Sequence, residues 1–222
     1  MRTLLLAMTS LIVLASGQPA LAQEPEARKP ATKEQIATAT AEADRIIEAA
    51  SAKDIFENVT GDDRPAVRHR ASGMICTFFG APDIDKILIF EDPIRGDDVG
   101  CSTSHSSGSE ATYYATRYKP MPTEQAVLQS AVNAIRNRYP SAQPYESGLS
   151  SMGTEGLAPP IGAAFVINTT KGELFTMTLV SHREEWGFKL RASGPAADAD
   201  TVNLMAQAEF IFMLKLRELP WD

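Results

Sequence analysis

The chain is 222 residues long, 44% apolar and 22% charged, with 28 Asp and Glu against 21 Lys and Arg and a formal net charge of −7. That length suits a single domain with a sizeable core. The acidic balance disfavours a nucleic-acid partner, whose phosphates it would repel, and disfavours electrostatic adsorption to anionic lipid.

The amino terminus points to export. Met1 and Arg2 make a short positive start, residues 3–17 are an apolar run, and Ala20-Leu21-Ala22 places small residues where a signal peptidase reads. A signal peptide over residues 1–22 is expected, with Gln23 opening the mature chain. The apolar run is short for a hydrocarbon core of roughly 30 Å, which argues against an uncleaved anchor. No cysteine follows it directly, which disfavours a lipid anchor. The expected location is periplasmic or secreted, with no membrane anchor after cleavage. Loss of the leader removes Arg2 and makes the mature chain slightly more acidic.

Residues 23–32, "QEPEARKPAT", hold two prolines and almost no bulky apolar side chain, and read as a disordered leader before a single domain over 33–222. Thr32 with Gln35 forms a capping-box pattern, and Ile36, Ala39, Ala43, Ile46, Ile47 and Ala50 then share one helical face. The stretch after Lys53 reads as a helical turn and a loop. "VRHRASGMICTFF" reads as a strand interrupted at Ser72-Gly73 by a bulge or bend. "KILIFE", "VGCSTS" and "ATYYATRYK" are further strands, the last alternating Thr112, Tyr114, Thr116 and Tyr118 against Tyr113, Ala115 and Arg117.

Thr123 caps a second helix with Leu128, Ala131, Val132, Ile135 and Tyr139 on one side, and Pro140 stops it. Residues 141–162 are rich in Gly, Ser and Pro and read as a long loop, mobile or functional. Three strands joined by turns at 170–172 and 183–185 follow. Phe175, Met177 and Leu179 share one parity with Trp186, Phe188 and Leu190 across the second turn. The last helix starts near Asp198 or Asp200 and is apolar nearly all round in "FIFMLKL", so it is either buried on several sides or meets another subunit. The fold class expected is α+β: a mostly antiparallel twisted sheet of about six to seven strands covered on one side by helices.

The cysteines are two, Cys76 and Cys101, 25 positions apart with no CxxC spacing and no second pair to complete a zinc site. In an oxidising compartment such a pair is expected to form a structural disulfide clamping two strands of the sheet, with free thiols as the alternative.

Candidate chemistry is sparse. His69, His105 and His182 form no local metal motif. His69 and Ser72 would meet only if the chain bulged between them, no GxSxG elbow surrounds the serine, and "CSTSHSSGS" around His105 has turn composition. "RGD" at Arg95–Asp97 is better explained as a turn, and Asn58 and Asn168 fit a glycosylation acceptor pattern. No phosphate-binding glycine loop appears, and no cofactor is expected. A possible ligand face gathers Arg191, Lys189, Thr176, Thr178 and His69, with Arg68, Arg70 and Arg117 as further cations, on the sheet side expected to be wet.

"HRASGMIC" followed by "DDVGC" resembles a pattern in uncharacterised secreted and periplasmic proteobacterial proteins, carried by His69, Ser72, Gly73, Cys76, Gly96, Asp98, Val99 and Cys101. The resemblance implies a Gram-negative envelope location and brings no catalytic residue. Together these readings suggest a soluble exported, disulfide-bonded protein that acts by binding. Its partner would be a small polar ligand on the open sheet face or an envelope protein met through the last helix and the 141–162 loop. A homodimer through that helix is a further expectation. The alternative is an envelope hydrolase using His69 with Ser72 or His105.

Overall fold

The computed structural model describes residues 29–105, 108–149, 156–170 and 172–216. The expected signal peptide and residues 23–28 of the expected leader lie outside them. Residues Ala31–Asp222 form one compact unit.

The fold is α+β. Helix α1 (Lys33–Ala49) is followed by six strands: β1 (Phe56–Asn58), β2 (Ala66–His69), β3 (Ile75–Thr77), β4 (Lys86–Ile89), β5 (Asp98–Ser104) and β6 (Glu110–Arg117). Helix α2 (Glu124–Arg138) leads to β7 (Gln143–Pro144), β8 (Ile161–Thr169), β9 (Gly172–Arg183) and β10 (Trp186–Pro195), and α3 (Ala199–Leu216) closes the order after a short 3₁₀ turn. The strands form a three-stranded sheet, β1-β2-β3, and a seven-stranded sheet, β4-β5-β6-β10-β9-β8-β7. Every pairing is antiparallel.

Both expected caps form. The Thr32 hydroxyl accepts from the Gln35 amide while the Gln35 side chain accepts from the Thr32 amide, and the Thr123 hydroxyl accepts from the Ala126 amide. The buried face of α1 is Ala39, Ala43, Ile46 and Ile47. Small alanines let this helix lie close against the three-stranded sheet, whose Phe56 and Val67 join it in the core.

The large sheet has one apolar face throughout. Leu179 and Met177 stand opposite Leu190 and Ala192 on β10, which stand opposite Tyr113 and Ala111 on β6. Cys101 continues the row on β5. The small sheet, α1 and α3 share the core on this face. Helices were expected on one side only, but α2 packs on the opposite face, setting Leu128, Val132 and Ile135 against Phe165 and Val180. The reason is local: Ile161, Ala163 and Phe165 on β8 and Val180 on β9 make that end of the second face apolar as well.

The segment 67–79 is not one bulged strand. It folds back at Ser72-Gly73 as the turn between β2 and β3, with the Gly73 amide donating to the His69 carbonyl and Gly73 at φ 72°. Its two strands leave the main sheet to join β1. The disulfide therefore differs from expectation in what it joins. Cys76 on β3 and Cys101 on β5 are bonded with their Cα atoms 6.3 Å apart, so the bond ties the small sheet to the large one. The 141–162 stretch is also more structured than expected. Its β7 edges the large sheet, and Tyr145 lies edge-on to Phe175, 5.0 Å between centroids, with its hydroxyl donating to Asp200 at 2.7 Å. Residues 150–155 lie outside the described ones.

Candidate functional site

The turn between β2 and β3 does bring His69 and Ser72 together. Ser72 Oγ lies 2.8 Å from His69 Nδ1, and the Ser72 amide also donates to Nδ1 at 3.3 Å. Nδ1 is thus the acceptor, and the neutral ring carries its proton on Nε2, which is buried without a hydrogen-bond partner. The ring packs between Phe56 and Trp186, with centroids 5.1 and 5.4 Å away. Burial, with a smaller contribution from the Arg117 charge, lowers its pKa to about 4. Both His69 and Ser72 are only 1% exposed. A hydrolytic pair needs an accessible hydroxyl on one ring nitrogen and a carboxylate on the other. This pair has neither, and it serves as a structural lock on the turn, with Ser72 Oγ also accepting from the Met74 amide.

The expected ligand face is only partly assembled. Lys189 and Arg191 project from the open half of the second face, opposite Tyr114 and Thr112. Lys189 Nζ sits 4.2 Å from the centre of the Tyr114 ring, and burial lowers its pKa against the opposing pull of Asp98. Thr176 and Thr178 are buried, because α2 covers that half of the sheet. Thr176 Oγ1 lies 2.8 Å from Ser193 Oγ. His69 is in the other sheet altogether. Arg68 on β2 and Arg70 in the turn after it are both paired with Glu57. Arg117 is on the core side, stacked over Trp186 at 4.7 Å and paired with Asp97 and Glu185.

A different place gathers polar groups in a concave setting. Along the groove beside α3 lie two neighbouring cavities of about 510 and 380 Å³, with Phe79, Met205 and Glu209 lining both. Its floor is the end of the large sheet, and β3 supplies one wall. Tyr113, on the core face of β6, donates its hydroxyl to Glu209 Oε2 at 2.6 Å. Burial, reinforced by the neighbouring carboxylate, holds the phenol pKa well above its usual value, so it stays a donor. His105 packs at a tilt against Phe79 with centroids 4.1 Å apart, and its Nε2 lies 3.5 Å from the same Glu209 oxygen. Across the Phe79 ring lies the Arg64 guanidinium, 5.3 Å from the centroid, with Nε buried and unbonded. Leu204, Met205 and Phe212 on the outer side of α3 are 54%, 50% and 60% exposed. Such a run of bare apolar side chains beside a cavity marks a contact surface rather than scattered exposure.

Of the histidines weighed for chemistry, His105 alone lines this groove, and the last helix beside it was expected as a contact surface. Tyr113 and Glu209 are 96 positions apart, and only the pairing of β6 with β10 and the docking of α3 bring them together. The available signal was Glu209 itself, a lone acid inside the apolar run "AQAEFIFML". Among the described residues, no three His, Cys, Asp or Glu side chains are grouped to hold a metal ion, and no helix is long and apolar enough to cross a membrane.

No family model matches the chain, and no curated protein matches it. Two solved structures align with most of it. LpqN, involved in cell envelope biogenesis of Mycobacterium tuberculosis, is 12% identical with a TM-score of 0.30, covering 70% of this chain and 76% of its own. PA94 from Pseudomonas aeruginosa, a protein of unknown function, is 11% identical with a TM-score of 0.34, covering 71% and 97%. At those TM-scores neither bears on what this chain binds.

Proposed function

We propose that this is an exported, envelope-located binding protein whose ligand occupies the groove along α3. The observation that carries the reading is the pair of neighbouring cavities lined by the exposed Met205 and Phe212, with Leu204 also bare on α3. Both cavities are of the size that small ligands occupy, with mostly apolar walls and a few fixed polar groups. The leader over residues 1–22, the Cys76–Cys101 bond and the resemblance to secreted proteobacterial proteins support the location. The hydrolase alternative draws no support from the His69–Ser72 pair, which is sealed from solvent.

The test is calorimetric titration of the exported protein with decanol, a neutral apolar probe, beside Phe212→Asp. Saturable binding that the variant weakens at least tenfold is expected. Absence of decanol binding overturns the reading. So does a sedimenting dimer that the variant dissociates, since the stripe would then be a surface between two copies.

A further inference from the structure

The groove is polarised along its length. At one end Ile75, Ala208, Phe212 and Met213 line it, with Arg64 at the rim. At the other end the lining includes Glu110, Asp198 and Glu209, with His105 beside Glu209. Glu110, Asp198 and Glu209 therefore line one end together with His105, Ser109 and Thr201, with Glu110 and Asp198 at its exposed rim, and Arg64 stands at the opposite, more apolar end. Glu209 is held in place through Oε2 by Tyr113, which leaves Oε1 without a hydrogen bond among the described residues. Phe79 and Met205 bridge the two ends with apolar surface.

Resting on the binding reading above, we propose that the ligand is a cationic amphiphile. Its ammonium group lies among Glu110, Asp198 and Glu209, and its apolar body runs over Phe79 and Met205 toward Phe212. Charge complementarity decides the direction. An anionic head would have only Arg64 to pair with, whose guanidinium already lies against the Phe79 ring, and would be repelled by Glu110, Asp198 and Glu209. A cationic head satisfies the free Glu209 oxygen and leaves the tail on the apolar wall. The net negative charge of the chain raises the local concentration of such a cation.

The experiment compares decylammonium, decanol and decanoate by calorimetry below their aggregation concentrations, on the exported protein and on Glu209→Gln and Asp198→Asn. Glutamine keeps an acceptor for Tyr113, and Asp198 is exposed, so neither change threatens the fold. Decylammonium is expected to bind at least tenfold more tightly than decanol, and decanoate more weakly than either. Glu209→Gln should remove most of the preference for decylammonium over decanol. Asp198→Asn should reduce the preference by a smaller factor. Decanoate binding as tightly as decylammonium, or a preference unmoved by both variants, overturns the charge assignment while the groove remains a binding site. Failure of all three probes overturns the groove itself.

Discussion

His69 shows how a residue typical of catalysis becomes a structural one. Its ring is wedged between Phe56 and Trp186, its Nδ1 accepts from the Ser72 amide, and its neutral form is held by burial. A folded pKa of about 4 lies below the ordinary value of 6.5. Between those values the unfolded chain binds a proton that the folded chain refuses, so this contribution to stability is complete above pH 6.5 and lost as the pH falls toward 4. The shift corresponds to about 3 kcal/mol. Denaturant unfolding measured from pH 7.5 to 4 is expected to show that loss, and His69→Phe should flatten the His69 part of it. An unchanged pH profile in the variant would show that the ring is charged, or indifferent, in the fold.

At the scale of elements, α3 divides its surface between two tasks. Val202, Ala206, Phe210, Met213 and Leu214 are buried in the core, while Leu204, Met205 and Phe212 are left bare. Phe212→Asp therefore removes little packing, and its unfolding free energy is expected within about 0.5 kcal/mol of the parent, which denaturant melts would check. A loss of several kcal/mol would mean that the outer stripe belongs to the core. The helices were largely legible beforehand. Thr32 with Gln35 and Thr123 supply caps at the right offsets, and the spacing of Ala39, Ala43 and Ile46 marks the buried face. Strand β9 and strand β10 were legible for the same reason, since strict alternation through Phe175–Leu179 and Trp186–Leu190 leaves one register. Strand β1 and strand β7, three and two residues long, are too short for any period to show and exist only because a neighbouring strand pairs with them. The second apolar face was hidden because Thr176, Thr178 and His182 alternate like a wet surface, while the apolar residues that attract α2 sit mainly on β8.

For the whole molecule, two sheets share one core, and the Cys76–Cys101 bond joins them across it. Closing 25 positions of chain removes about 3–4 kcal/mol of unfolded-state entropy. The double replacement Cys76→Ser/Cys101→Ser is expected to lower the unfolding free energy by about that amount while keeping the antiparallel sheet signature in circular dichroism. Equal stability of the two proteins would show that the bond does not hold the sheets together. The disulfide partners were legible from cysteine count and compartment alone. That they join different sheets was not, because it depends on the chain reversing at Ser72-Gly73 and carrying β3 away from the main sheet. The groove was illegible for a related reason: Arg64, Phe79, Tyr113 and Glu209 come from four separate stretches of chain and carry no common motif. The central claim is that ligand enters beside α3 and not on the open sheet face, and methyl and amide nuclear magnetic resonance of the exported protein during decylammonium titration tests it most directly. The account predicts saturable shifts at the Met205 and Met213 methyls with Lys189, Arg191 and Thr112 unmoved. Shifts confined to those three sheet residues, or none in either place, would contradict it.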